Sequence, residues 1–200
     1  MNIKFIIEYK GTDYHGWQMQ KNAQTIQGEL NKAFKILLPS DNINIIGSGR
    51  TDAGVHAYNQ IASVQLPSNL NLNNFFNSIN GIINKDVYIK SFEKVDDDFH
   101  ARFSASCRSY QYHINNQYSP FKKQISWFVN YTINLDLLNK CAEALIGEHN
   151  FSLLSKNNSE TQNKVCIIYE SFWEQSKNEL IYHIKANRFL HHMVRFIVGT

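Results

Sequence analysis

Cysteine, proline and arginine are all scarce in this chain of 200 residues. Its three cysteines (Cys107, Cys141, Cys166) are odd in number and far apart, which excludes a disulfide framework or a Cys-x-x-Cys metal knuckle and points to a reducing cytoplasm. No apolar run approaches the ~18–20 residues that a bilayer-spanning helix needs, so no membrane is expected as a partner. The opening Met1-Asn-Ile-Lys-Phe-Ile-Ile-Glu-Tyr has no basic leader ahead of a long apolar core and a small-residue cleavage site, so no signal peptide is expected there. With 43% hydrophobic and 18% charged residues, the chain is neither a disordered tail nor a linker. It is long enough for one ordinary domain or two small ones with their own cores.

The net charge of +3 is unevenly spread. Residues 1–99 hold nine Lys/Arg against ten Asp/Glu, and residues 100–200 hold eleven against seven. This asymmetry is compatible with a polyanionic partner, and equally with an ordinary solvated surface.

Lysine outnumbers arginine by fifteen to five. The five arginines are informative because only the guanidinium fork makes bidentate contacts to carboxylate or phosphate. They fall in three clusters, each containing histidine: residues 49–56 (Gly-Arg-Thr-Asp-Ala-Gly-Val-His), 99–110 (Phe-His-Ala-Arg-Phe-Ser-Ala-Ser-Cys-Arg-Ser-Tyr) and 188–195 (Arg-Phe-Leu-His-His-Met-Val-Arg). Scattered surface ion pairs would not cluster in this way.

Hydrophobic periodicity predicts a strand over 2–9, a polar loop over 10–24, and a helix from an N-cap at Thr25 to about Leu38. A strand over 42–48, a Gly-rich turn over 47–56, a strand over 57–66, a helix through Leu72–Ile83 and a strand over Val87–Val95 follow. Asp96-Asp97-Asp98 reads as a solvated boundary. The second half starts again with a strand over Cys107–Ile114, a helix near 134–146, strands near 165–174 and 179–187, and a helix beginning near Arg188. A polar stretch over 155–164 and a turn at Ser176-Lys177-Asn178 separate these. The expected class is α/β (α+β), with two ferredoxin-like βαββαβ-type units, 1–98 and 99–200, forming a cleft. The second unit stops before a closing strand. Either the chain is truncated there, or a partner subunit supplies that edge.

The turn over 47–56 is the most informative stretch. It is no dinucleotide fingerprint, since residue 52 is aspartate where glycine is required, and no Gly-Lys-Ser/Thr follows as in a phosphate loop. An Asp two residues from an Arg suggests a positioned, ionised carboxylate fit for nucleophilic or general-base work. The plainer alternative is a tight turn with an Asx bond and a surface ion pair. At the other end of the chain, Arg188, His191, His192 and Arg195 recur at i, i+3, i+4 and i+7, which predicts one basic helix face. Zinc is a poor reading there, because adjacent helical residues diverge by about 100° and no other ligand lies at the right spacing. His100 and Arg102 alternate with apolar neighbours as along an extended segment. Asp13, His15 and Trp17 sit in a loop suited to RNA contacts, although Trp17 equally suits a core anchor.

Gly49-Arg50-Thr51-Asp52-Ala53-Gly54-Val55-His56-Ala57 resembles the catalytic motif of the TruA family of tRNA pseudouridine synthases. Residues 9–18 (Tyr-Lys-Gly-Thr-Asp-Tyr-His-Gly-Trp-Gln) with 25–30 resemble that family's N-terminus. Residues 98–105 with 108–112 resemble its central segment, and 185–199 its late helix. Four motifs in family order span the chain.

The resemblance implies isomerisation of uridine to pseudouridine at positions 38 to 40 of the tRNA anticodon stem-loop, by a homodimer using no metal or organic cofactor. Asp52 matches the catalytic aspartate. Attack at C1′, addition at C6 and abstraction of the C2′ proton are each open to it. Arg50 matches the arginine that helps displace the target base, which offsets part of the cost of flipping. Arg195 matches the arginine that pairs with the catalytic aspartate. Tyr110 matches the pocket tyrosine, although Tyr110, Tyr112 and Ile114 also alternate as on a half-buried strand. Arg108 shares that strand parity. His56, Arg102, Arg188, His191 and His192 join these as expected substrate contacts. One rival is a catalytically silent tRNA-binding fragment of the same fold. A glycoside hydrolase or phosphoribosyl-type enzyme is a second, since both also attack an anomeric carbon, but most glycosidases need another catalytic carboxylate.

Overall fold

The first strand, β1 (Asn2–Tyr9), buries Ile3, Phe5, Ile7 and Tyr9 on one face, the period of two that a half-covered strand imposes. The computed structural model describes residues 1–156, 162–177 and 179–200, and divides them into two compact units, Met1–Ala105 and Ser106–Thr200. The remaining residues include part of the expected polar stretch 155–164 and Asn178 of the expected turn; these lie outside the described residues.

In the first unit, β1 is followed by α1 (Ile26–Leu37), β2 (Ile46–Gly47), β3 (Ala57–Gln65), α2 (Leu72–Ile82) and β4 (Val87–Val95). The sheet order is β2-β3-β1-β4 with every pair antiparallel, the split βαββαβ arrangement expected from periodicity. Thr25 caps α1, accepting a bond from the Gly28 N–H at 3.2 Å, and Asn71 caps α2 by accepting one from Asn74 at 3.1 Å. The helices bury Phe34, Phe75 and Phe76 against Phe5, with ring centroids 5.3–5.9 Å apart for Phe34–Phe75, Phe5–Phe76 and Phe5–Phe34.

The strand expected over 42–48 contracts to Ile46–Gly47. The carbonyl of Ile45 turns to the Gln27 side chain of α1, 2.8 Å away, so this backbone serves the helix rather than the sheet. Residues 99–105 pack with the first unit: Ala101 is buried and donates its N–H to Ser63 Oγ at 3.2 Å, while the Asn2 side chain donates to Phe99 O at 2.8 Å.

The second unit contains β5 (Arg108–Asn115), β6 (Trp127–Phe128), α3 (Leu135–Glu143), β7 (Gly147–Asn150), β8 (Val165–Ser176), β9 (Glu179–Ala186) and α4 (Met193–Gly199). Its sheet order is β6-β5-β9-β8-β7. The core gathers Ile114, Phe151, Cys166, Trp173, Tyr182 and Ile184, with Tyr182 hydrogen-bonded to Ser171 Oγ at 2.7 Å.

Three features depart from expectation. Strands β6 and β7 carry no apolar alternation and exist through backbone pairing alone, β6 parallel to β5 over two residue pairs and β7 antiparallel to β8 over four. The helix α3 ends at Glu143, and Gly147, at φ +107°, turns the chain into β7. Most consequentially, α4 begins at Met193 rather than near Arg188, because His192 adopts a left-handed φ of +63° that a continuous helix cannot include. Among the described residues, no helix is long and apolar enough to cross a membrane.

Truncating Phe34, which is fully buried among Phe5, Phe75 and Phe76, should cost about 3–5 kcal/mol in Phe34→Ala, measured as a lower urea midpoint with the slope unchanged.

Candidate active site

The carboxylate-bearing turn is clamped from below by the loop between β1 and α1. The Trp17 N–H donates to Thr51 O at 3.1 Å, and the Gly54 N–H to Tyr14 O at 3.2 Å. The Gly11 N–H donates to His56 Nδ1 at 3.2 Å, and the Tyr9 hydroxyl shares a hydrogen bond of 2.9 Å with Thr51 Oγ1. From the other side, the Gln60 amide of β3 donates to Gly49 O at 2.7 Å. Thr51, between Arg50 and Asp52, is therefore held by both its main chain and its side chain.

Two glycines make this approach possible. A Cβ on Gly11 would run into the carbonyl of Val55. One on Gly16, where φ is +87°, would run into the Thr51 carbonyl oxygen and lie 3.1 Å from the carbonyl carbon of Asp52. Within the turn itself, Gly54 is the residue at positive φ, +79°, and its N–H completes the clamp.

Asp52 is half-buried, whereas Arg50 is exposed. His56 accepts at Nδ1 from a backbone N–H, so its proton sits on Nε2. Its ring holds the two loops together. Trp17 is 2% exposed and serves as a core anchor; Asp13 and His15 are exposed. Burial, reinforced by the charge of Glu29, pushes the Tyr14 phenol above its ordinary range, so it stays neutral beneath the turn.

His100 and Arg102 do not line an extended segment. Residues 101–103 form a turn closed by His100 Nδ1, which accepts from the N–H groups of Arg102 at 3.2 Å and Phe103 at 3.3 Å. Arg102 is exposed on that turn.

Within the second unit, Arg108 and Tyr110 lie on β5 with the same parity. Arg108 donates from its guanidinium to Asn187 O at 2.8 Å, and Tyr110 packs edge-on against Phe189 at 5.1 Å. The expected helical stripe of Arg188, His191, His192 and Arg195 is not one helix face, since only Arg195 lies within α4. Arg188 instead ties the start of β8, donating to Val165 O at 2.9 Å and Asn163 O at 2.6 Å. Burial pushes the neighbouring Cys166 thiol up, against the opposing pull of that guanidinium. His191 and His192 lie side by side just before α4, their ring centroids 4.1 Å apart.

Sequence reasoning singled out the turn but missed what supports it. Tyr9, Gly11, Tyr14 and Gly16 support it from the end of β1 and the loop before α1. The available signal was two glycines spaced among aromatics in a polar loop.

A pair of split βαβ units and a carboxylate turn clamped beside an arginine describe an α+β enzyme of the pseudouridine synthase fold. Residues 5–104 and 141–200 match the family described as tRNA pseudouridine synthase. Over its whole length, the chain is 41% identical to the tRNA pseudouridine synthase A of Brachyspira hyodysenteriae, covering 81% of that protein. It is 36% identical to the proteins of the same name in Bacillus subtilis and in Thermoanaerobacter pseudethanolicus, covering 82% of each. The chain belongs to the tRNA pseudouridine synthase family, whose members are isomerases.

Two substitutions of glycine by alanine should have opposite signs. Gly16→Ala should cost about 1–3 kcal/mol and shift the amide resonances of Thr51 to Val55. Gly81→Ala, exposed in α2 with nothing within 4 Å of the new methyl, should gain about 0.5–1 kcal/mol and leave those resonances in place.

Proposed function

We propose that this chain isomerises uridine to pseudouridine at positions 38 to 40 of the tRNA anticodon stem-loop, with Asp52 as the carboxylate that acts on the target nucleotide. The observation that carries this reading is the clamped turn: Asp52 sits in a family motif whose backbone is held by Trp17 and Tyr14 and whose Thr51 side chain is held by Tyr9. Isomerisation breaks the N1–C1′ bond, turns the uracil, joins C5 to C1′, releases the C5 proton and leaves N1 to take up a proton from solvent. No atom is gained or lost overall. A carboxylate serves this chemistry by attacking C1′, adding to C6 or removing the C2′ proton, and in each case it must stay charged and precisely held.

Arg50, exposed at the entrance to the turn, is suited to grip a phosphate or occupy the space left by an extruded base. Arg195 is proposed to act in catalysis, and Tyr110 as the ring that stacks on the flipped uracil, with Arg108 beside it. Arg102, His191 and His192 are proposed to contact RNA. Arg188 and His56 act chiefly by holding their loops, given the bonds their side chains already make. We further propose a homodimer working in the cytoplasm, in keeping with the free thiols of Cys107, Cys141 and Cys166.

Incubation with tRNA tritiated at uridine C5 tests the reading. Wild-type chain should release tritium, and Asp52→Asn and Asp52→Ala should abolish release while tRNA affinity stays within about threefold. Binding without release by the wild type would instead mark a silent tRNA-binding protein. Normal turnover in Asp52→Ala would refute the role of the carboxylate.

Arg50→Lys should lower the rate by about tenfold or more despite the retained charge, because the planar fork is lost. Affinity should fall steeply with added salt, as expected for a phosphate-gripping surface.

A further inference from the structure

Between Asp98 and Asp136 the chain has no Asp or Glu, while it carries Arg102, Arg108, Lys122 and Lys123. The part of this stretch that follows β5 belongs to the second unit and falls within residues 105–140, which the family match leaves out. It presents an unusual number of rings to solvent. Phe121 is 93% exposed, Tyr118 65% and Tyr131 59%, with Trp127 and Phe128 each at 42%. A ring exposed to 93% adds almost nothing to the core, and a run of such rings marks a contact surface.

These rings stand on a built platform. Val129, buried, donates its N–H to Asn115 O at 2.9 Å. The Asn115 side chain, also buried, donates to Ser126 Oγ at 2.7 Å, and Ser126 Oγ donates to Lys122 O at 3.0 Å. Tyr118 sets its ring edge-on to Phe128 at 5.7 Å. Lys122 reaches Glu179 and Asn115, each at 3.4 Å, whereas Lys123, two residues after Phe121 in the chain, is exposed. The backbone network thus holds the aromatic side chains outward.

We propose that the segment from Tyr118 to Tyr131 is a second contact surface for the RNA substrate, separate from the Asp52 turn, where rings stack on unpaired bases and Lys123 meets the phosphate backbone. Exposed rings next to a solvent-facing cation are what single-stranded nucleic acid recognition uses, and Lys123 is exposed whereas Lys122 is paired with Glu179. An interface between copies of the chain would bury this patch, but lysine is depleted at the centre of such interfaces, and here it adjoins the most exposed ring. The proposal rests on the reading of tRNA as substrate.

The test compares Phe121→Ala, Lys123→Ala and a control, Leu153→Ala, in which an apolar side chain equally exposed at 93% lies outside the segment. With unmodified tRNA transcript as the probe, Phe121→Ala should raise Kd and KM about fivefold or more at unchanged kcat. Lys123→Ala should reduce the slope of log Kd against log salt by about one, and Leu153→Ala should change nothing. Benzoylphenylalanine placed at residue 121 should crosslink to tRNA. Unchanged Kd in Phe121→Ala would overturn the proposal, as would crosslinks to a second copy of the chain, which would assign the patch to self-association. Wild-type chain that neither binds nor modifies tRNA would defeat the functional reading itself. Normal wild-type activity with inert variants defeats the second surface alone.

Discussion

The structure of the first unit turns on one close approach: the backbone at Gly16 and Trp17 lies against the carbonyl of Thr51, with no Cβ between them. A hydrogen bond on that carbonyl is worth about 1 kcal/mol by itself. Its importance is positional, because Thr51 is the residue between Arg50 and Asp52. Three further bonds, from Tyr9, to Tyr14 and from Gly11 to His56, act on the same ten-residue turn, so a shift in one strains the others. The turn is pre-organised in the folded chain, so the backbone on either side of Asp52 needs no further ordering.

Both units manage their sheet edges with the same device. In the first, Asn80 of α2 donates to Ile89 O at 2.9 Å and accepts from the Ile89 N–H at 2.9 Å. In the second, Asn139 of α3 accepts from the Trp173 N–H at 2.7 Å and donates to Trp173 O at 3.1 Å, where β8 extends past β7. A helical asparagine thereby satisfies edge backbone that would otherwise invite pairing with another chain. The amide also locks each helix in register over its sheet, which complements the apolar packing beneath.

The fold was legible wherever side chains alternated or recurred at helical spacing. Ile3, Phe5 and Ile7 announced β1, and Thr25 with Ile26, Leu30, Ala33 and Phe34 announced α1 and its cap. Elements held only by main-chain bonds left no such trace: β6 is two residues long, and β7 reads Gly-Glu-His-Asn. The stripe of Arg188, His191, His192 and Arg195 shows the converse error. Helical spacing was present, but the left-handed His192 and the anchoring of Arg188 on Val165 and Asn163 broke the helix that the spacing implied. Of the candidate site, the contiguous turn was legible and its clamp was not, because Gly11, Tyr14 and Gly16 act through partners about forty residues away.

The amino-acid order alone determined the two-unit α+β plan, the family and the turn bearing Asp52, since each depends on local pattern or on a contiguous motif. Tertiary structure decided which glycines admit a second backbone, that His56 is a loop tie and that Arg188 is an anchor. It also decided that the rings around Phe121 face solvent. These outcomes depend on hydrogen bonds and burial between segments distant in the chain, and local periodicity carries no record of which distant atoms will meet.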